Sequence, residues 1–257
     1  MLLAIDVGNS TTVVGVFDGP DLVDHWRLST LRRRTADEFG MVVAGVMDLA
    51  GLDLEGDING VVIGSVVPDV TVSLRGMCDR YVGTLPVVVE PGVRTGISLR
   101  HENPRDLGAD RIANAVAAHA LYGGPSVVVD FGTATSFDAV DRDGAFVGGA
   151  IAPGISTSSE ALVQRAARLP TVEPVAPPSP IGRTTVTALQ SGIVYGSAGQ
   201  VDGIVARIVR ELGPGVTVVA TGGLASSVLE ACTTIDHHDP WLTLKGLRLI
   251  WERNLDV

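Results

Sequence analysis

The sequence predicts an α/β protein made of two copies of one domain that enclose a cleft. Three observations carry that expectation. Short valine-rich runs alternate with helical patterns along the whole chain. Glycine, with 31 residues, gathers at the ends of those runs instead of forming a low-complexity linker. LAIDVGNSTTVVGV also lies on VVVDFGTATSFDAV with a shift of 124 residues, which sets Asp6 on Asp130, Gly8 on Gly132 and Thr11 on Thr135. A second correspondence, VVIGSV at 61–66 with VVATGG at 218–223, keeps the same order of parts. The expected halves are 1–113, with the first acidic turn, and 114–257, with the second turn and the longest helix.

LLAIDVG, TTVVGVF, GVVIGSV, PVVVE, SVVVDFG, SFDAV and VTVVATGG read as short buried or half-buried strands. The first helix starts at a capping box, Thr35 with Glu38 three residues on, turns Phe39, Val42, Val43, Val46 and Leu49 inward, and closes at Gly51. A second begins at Pro68, and a third runs from the Gly108-Ala109-Asp110-Arg111 segment to Gly123. The longest extends from about Thr185 to Leu212, where Val201, Ile204, Val205, Ile208, Val209 and Leu212 keep a 3.6-residue period. PTVEPVAPPSP at 170–180 has too many prolines for either element and reads as a loop, an inert connection or a lid.

With 46% hydrophobic and 19% charged residues, the 257-residue chain is ordinary globular material, large enough to fold without metal or disulfide staples. A net charge of −10 and a single lysine, Lys245, leave no broad basic face for nucleic acid. Cys78 and Cys232 are too few for a disulfide framework and fit a reducing compartment. Asp6 interrupts the first apolar run before a signal sequence could form, and no apolar stretch is long enough to span a membrane. A cytoplasmic protein is expected.

The first chemical motif is Asp6-Val7-Gly8-Asn9-Ser10-Thr11. A strand ending in an acidic residue and turning through glycine into amide and hydroxyl side chains can receive phosphate on backbone N–H groups, with Asp6 holding Mg²⁺ on those phosphates. Taken singly the pattern fits an ordinary hairpin turn equally well. Its recurrence at Asp130-Phe131-Gly132-Thr133-Ala134-Thr135 favours a pair of turns that grip a nucleotide. Rival phosphate motifs are missing: there is no G-x-x-x-x-G-K-[ST], no dinucleotide fingerprint, and no strand lysine or H-R-D to accompany the D-F-G at 130–132.

The second motif, Asn103-Pro104 followed by Gly108-Ala109-Asp110-Arg111, places an aspartate in a first helical turn, where the macrodipole favours its ionised form and lets it accept a proton. Arg111 beside it can clamp a carboxylate or phosphate. Plain helix capping with a surface arginine explains the same residues and is preferred when they are read alone. The glycines of Gly148-Gly149-Ala150-Ile151-Ala152-Pro153-Gly154 and Gly222-Gly223 permit close backbone approach without proving a site. Gly192, Gly196, Gly199 and Gly203 suggest a tight helix-packing face, Arg32-Arg33-Arg34 a solvated surface, and Asp236-His237-His238-Asp239 a polar turn.

DVGNS at 6–10, ENPRDLGADRIANAVAA at 102–118, DFGTATSFD at 130–138, GGAIAPGI at 148–155, GRTTVTALQSG at 182–192 and LTLKGLRLIWERN at 242–254 together resemble the type III pantothenate kinases. The resemblance implies the duplicated ribonuclease-H-like fold of the acetate and sugar kinase, Hsp70 and actin superfamily, with ATP in the cleft and a homodimeric assembly. It implies transfer of the γ-phosphoryl group of ATP, as its Mg²⁺ complex, to the 4′-hydroxyl of pantothenate, the first step toward coenzyme A. By position, Asp110 would be the general base and Gly108, Ala109, Asp110, Arg111 and Thr185 would bind pantothenate. ATP would meet Asp6, Val7, Gly8, Asn9, Ser10, Thr11, Thr12, Val13 and Thr133, and Asp130 would hold a monovalent cation, K⁺ or NH₄⁺. His101 stands where tyrosine is common in the family, Thr11 where asparagine is frequent, and Ser136 where threonine is frequent. Two alternatives are a non-enzymatic regulator of the same fold that keeps nucleotide binding, and a kinase or phosphatase acting on another small molecule.

Overall fold

A computed structural model describes residues 1–255; the last two residues of the expected second half lie outside them. In chain order the strands are β1 (Leu2–Val7), β2 (Thr11–Asp18), β3 (Asp21–Ser29), β4 (Gly60–Ser65), β5 (Val87–Val88), β6 (Ser126–Phe131), β7 (Ala134–Val140), β8 (Phe146–Pro153), β9 (Thr217–Thr221) and β10 (His237–His238). The helices are α1 (Ala36–Asp48), α2 (Pro68–Met77), α3 (Ala109–Tyr122), α4 (Ile155–Arg165), α5 (Thr185–Leu212) and α6 (Leu242–Glu252). The chain divides into two compact units. The first contains Met1–Ser98, Glu102–Ala117 and a returning segment that begins at Thr243; the second contains Leu99–His101 and Ala118–Leu242.

Each unit holds one five-stranded mixed sheet, in the order β3-β2-β1-β4-β5 in the first and β8-β7-β6-β9-β10 in the second. The expected duplication is therefore met strand for strand. In the first unit β1 is antiparallel to β2 and parallel to β4, and in the second β6 is antiparallel to β7 and parallel to β9. The matching runs 61–66 and 218–223 supply β4 and β9, with Gly64 beside Asp6 and Thr221 beside Asp130. One detail of the repeat changes. Val7 pairs with Thr12 but Phe131 pairs with Thr135, so the second turn is one residue shorter and Thr135 answers to Thr12, not Thr11.

The core of the first unit gathers Leu3, Ile5 and Val7 of β1, Val14 and Val16 of β2 and Phe39, Val43 and Met47 of α1. That of the second gathers Val127, Val129 and Phe131 of β6, Phe137 of β7, Val218 and Ala220 of β9, and Val194, Val201 and Val205 of α5. Alternation along the strands sends these side chains to one face. Burial of each large aliphatic or aromatic side chain contributes roughly 1.5–3 kcal/mol.

The capping box at Thr35 and Glu38 forms as expected, and so does α5 over its full predicted length. The inward face of α1 is corrected at one end: Met47 is buried, whereas Leu49 is 87% exposed because it caps the helix beyond the Phe39–Val43–Met47 row. Four elements had no clear sequence signal. Edge strand β3 is charged and never fully buried; β8, also at an edge, contains most of the 148–154 run whose glycines suggested close backbone approach; α4 is rich in serine and threonine; and the His237–His238 pair, expected within a polar turn, forms β10. Edge strands bond on one side only, which is why glycine and proline are tolerated there. Within this chain no other described element packs against Gly192, Gly196 and Gly199: a methyl group added at any of them meets nothing within 4 Å beyond the helix's own backbone.

In the first unit α6 crosses α3 at Gly246, where a Cβ would fall onto the Ala113 backbone carbonyl. Backbone cannot yield as a flexible side chain can. Gly246→Ala is expected to cost about 1–3 kcal/mol, lowering the melting temperature by roughly 2–4 °C per kcal/mol. Thermal unfolding checks this, and an unchanged melting temperature would show that the two helices can separate freely.

Candidate active site

β1 ends at Asp6 and Val7, and its chain turns through Gly8, Asn9 and Ser10 into β2. The turn is closed from within, since the Gly8 N–H donates to the Thr11 carbonyl at 3.0 Å. The glycine N–H is thus spent on the turn instead of being offered to phosphate. Asn9, Ser10 and Thr11 are exposed, Asp6, Gly8 and Val13 are partly buried, and Val7 and Thr12 are buried. The Val7 side chain belongs to the core, so any ligand contact at Val7 is a backbone contact. The Thr12 and Thr30 hydroxyls share a hydrogen bond of 2.9 Å, and the Thr30 hydroxyl donates to the Gly8 carbonyl at 2.9 Å. Thr30 escaped the sequence reading because it lies just after β3, far from the motif in the chain; its hydroxyl ties the turn at Gly8 to Thr12.

Arg32 is exposed, as expected of solvated surface, and also reaches the first turn. Its guanidinium donates to Asn9 Oδ1 at 3.3 Å. Arg32, Arg33 and Arg34 line a cavity of ≈ 560 Å³ with Leu31, Glu38, Met41 and Val42. Arg34 lies over the Phe39 ring, 5.2 Å from its centroid.

In the second unit the Gly132 N–H closes its own turn on the Ala134 carbonyl at 3.0 Å. The Thr133 carbonyl accepts from the Gly154 N–H at 3.2 Å and from the Thr157 hydroxyl at 2.6 Å. A side chain at Gly154 would collide with the Gly132 and Thr133 carbonyls, so the glycine ending GGAIAPG is fixed by close approach to the turn. Asp130 lies in a transverse row with Ser136 of β7 and Thr221 of β9. Gly222, at φ +94°, brings the chain after β9 so close that a Cβ would sit 2.5 Å from Asp130 Oδ1. Only glycine fits that conformation and that space. Asp138, fully buried, accepts from the Ser136 hydroxyl at 3.4 Å.

Asp110 is the second residue of α3, in its first turn after Gly108 and Ala109 as the motif requires. The Arg111 backbone N–H donates to Asp110 Oδ1 at 2.8 Å. The sequence reading expected the helix terminus to hold this carboxyl ionised. Burial is the larger influence and raises its pKa above the ordinary 3.8, against the smaller lowering effects of the Arg111 N–H and guanidinium. The result is a carboxylate that takes up a proton more readily than a solvated aspartate. Gly108 passes so near that a Cβ there would strike Asp110 Oδ1. Thr185 is the exposed first residue of α5, where Thr184 and Thr187 form a reciprocal cap.

Asp236, His237, His238 and Asp239 are structural: the histidines form β10, Asp236 accepts from the Val218 N–H at 2.8 Å, and Asp239 accepts from the Tyr122 hydroxyl at 3.1 Å. Among the described residues no group of three His, Cys, Asp or Glu side chains has metal-binding geometry. A divalent ion here would therefore need oxygens from a bound nucleotide, with a strand-end carboxylate such as Asp6 as a protein ligand. Around Asp130 the donor set is different, a carboxylate with two hydroxyls in its row and a glycine cradle, which suits a weakly hydrated monovalent ion held by oxygens.

The protein-family model for type III pantothenate kinases matches residues 2–207. A type III pantothenate kinase of Thermobifida fusca is 57% identical over 99% of this chain and 100% of its own length. One from Moorella thermoacetica is 53% identical over 99% and 100%. Among solved structures, the activator of 2-hydroxyisocaproyl-CoA dehydratase from Clostridium difficile, with bound ADPNP, superposes with a TM-score of 0.56 at 12% identity, covering 100% of this chain and 97% of that one. The ROK hexokinase of Thermus thermophilus gives 0.52 at 17% identity, covering 99% of each. The hexokinase has the actin-like ATPase fold, and both likenesses bear on fold alone. With the family model covering most of its length and full-length relatives above half identity, the chain belongs to the type III pantothenate kinase family.

Proposed function

We infer that the protein transfers the γ-phosphoryl group of ATP to the 4′-hydroxyl of pantothenate, giving 4′-phosphopantothenate and ADP on the way to coenzyme A. The observation that carries the mechanism is the carboxyl of Asp110, partly buried at the start of α3 with its proton affinity raised. The pantothenate oxygen forms a bond to the γ-phosphorus as the bond from that phosphorus to the ADP oxygen breaks. Asp110 accepts the hydroxyl proton. A loose phosphoryl transition state asks for positioning and charge neutralisation more than covalent help, so one aspartate suffices as base.

Gly108, Ala109, Arg111 and Thr185 are assigned to pantothenate, with the planar guanidinium of Arg111 suited to its carboxylate. Residues 6–13 and Thr133 are assigned to ATP. Within that set Asn9, Ser10 and Thr11 are exposed and can offer side-chain donors, while Val7 and Thr12 contribute shape. Mg²⁺ on the nucleotide and a monovalent cation at Asp130 belong to the same reading. When bound, they neutralise phosphate charge that no phosphate-loop lysine is present to offset. A cytoplasmic setting fits the two free thiols, Cys78 and Cys232. Among the described residues no helix is long and apolar enough to cross a membrane.

A homodimer also belongs to this reading, supported by the unfilled glycine face of α5. Gly192, Gly196 and Gly199 are exposed, as are the apolar Ile181 and Val186 near the start of the helix. Exposed helix glycine costs stability unless something packs on it, and a second copy of the chain is the partner expected. Gly196→Leu should therefore shift sedimentation toward monomer. A variant that stays dimeric, with the melting temperature raised by better helix propensity, would move the interface elsewhere.

The reaction is tested by ADP release with ATP and Mg²⁺ in the presence of pantothenate and of unrelated alcohols and acids; release independent of pantothenate would remove the assignment. Asp110→Asn is expected to lower kcat by ~10²–10⁴. It should also raise the melting temperature at neutral pH. The reason is linkage: a carboxyl whose folded-state pKa is raised is most favourable to folding below 3.8, and its contribution is lost as pH rises through the folded value, so the ionised group costs stability at pH 7. Unchanged turnover would exclude Asp110 as the base, and a lower melting temperature would make it a structural cap.

A further inference from the structure

We propose that Thr221 is a second protein ligand, beside Asp130, for the monovalent cation. The inference rests on the reading of Asp130 given above. Its starting point is an unsatisfied group: Thr221 is 0% exposed, and its Oγ1 has no hydrogen-bond partner among the described residues. A buried hydroxyl without a partner costs stability, so a position that keeps one needs a reason.

The register says what the hydroxyl lies beside. Thr221 pairs directly with Asp130 in the parallel β6–β9 ladder, and Ser136 pairs with Asp130 from the other side. Val218 and Ala220, with Val127, Val129 and Phe131, belong to the core of the second unit. Alternation therefore sends Thr221 and Asp130 together to the opposite face. The next residue is Gly222, whose approach to Asp130 Oδ1 leaves no room for a side chain. Carboxylate, hydroxyl and backbone turn thus converge on one place.

The duplication supplies an internal control. The corresponding row of the first unit is Val13, Asp6 and Gly64. A Cβ at Gly64 would meet Leu247 at 2.8 Å, so that position carries no polar group. The same sheet is built without a hydroxyl in one copy and with two in the other. Folding alone does not require Thr221. What distinguishes the second row is oxygen ligands around its aspartate, the donor set of a monovalent cation that has shed part of its water.

The test compares wild type, Thr221→Val, Thr221→Ser, Thr221→Ala and Asp130→Asn in KCl and in choline chloride at equal ionic strength, by thermal unfolding without nucleotide and by turnover with ATP, Mg²⁺ and pantothenate. Thermal unfolding is one readout and the K⁺ concentration for half-maximal turnover the other. A cation that binds only the folded state raises the melting temperature of wild type in KCl. Thr221→Val, free of an orphaned hydroxyl, should melt at or above wild type in choline chloride yet gain little in KCl. Its half-maximal K⁺ should rise by roughly 10-fold or more, as for lost support of a metal site. Thr221→Ser should keep both responses. Should Thr221→Val fold poorly, Thr221→Ala must show the same loss of K⁺ response on a lower baseline. If wild type and Thr221→Val gain equally in KCl while Asp130→Asn does not, Thr221 is no ligand and the Asp130 reading stands. If wild type itself ignores K⁺ in both readouts, the cation reading at Asp130 fails and the role of Thr221 falls with it.

Discussion

Each sheet depends on a central strand bonded on both flanks, β1 in the first unit and β6 in the second. Each is antiparallel to its hairpin partner and parallel to the strand that returns through a crossover. Such a strand cannot slip, because a shift of one residue would turn every buried valine and leucine to the other face. This constraint carries Asp6 and Asp130 to equivalent strand ends and fixes which residues flank them. What differs between the copies is then chemistry on a common frame: valine and glycine beside Asp6, serine and threonine beside Asp130. In the function proposed above, one unit's aspartate serves a nucleotide-bound divalent ion and the other's a cation held by protein oxygens.

Asp110 shows two ordinary effects in opposition. A helix N-terminus stabilises an anion by ~0.3–1 kcal/mol, while a single unit of pKa shift corresponds to about 1.4 kcal/mol. At Asp110 burial prevails over the lowering influence of the Arg111 N–H and charge. For a base this direction is useful, since proton transfer is most efficient when the acceptor lies near the working pH. For stability it is a cost, of the kind active sites commonly carry.

Much of the frame was legible in the residues. The repeat of LAIDVG and VVVDFG, the capping box at Thr35 and the six-position period of α5 each reflect a local rule, and each appears where expected. The misses share a cause. Edge strand β3 mixes charged residues with half-buried Leu22, Trp26 and Leu28, which hides its strand period, and β8 is masked by a glycine run that ends at Gly154, the residue fixed by close approach to Thr133. The shorter second turn is hidden from a gap-free alignment and emerges only from the pairing of Phe131 with Thr135. Thr30 and Thr221 act through neighbours distant in sequence, so no linear motif announces them. The direction of the Asp110 shift was likewise out of reach, since the helix start is visible in sequence and the burial around it is not.

The central claim is that a desolvated Asp110 takes the proton from the pantothenate hydroxyl. Its most direct measurement is the titration of the Asp110 carboxyl by difference infrared spectroscopy against Asp110→Asn, set beside the acid limb of kcat/KM for pantothenate. The account predicts that the carboxyl titrates above 3.8 and that the acid limb falls at the same pH. A carboxyl that titrates at or below 3.8, or an acid limb unconnected with its titration, would contradict it.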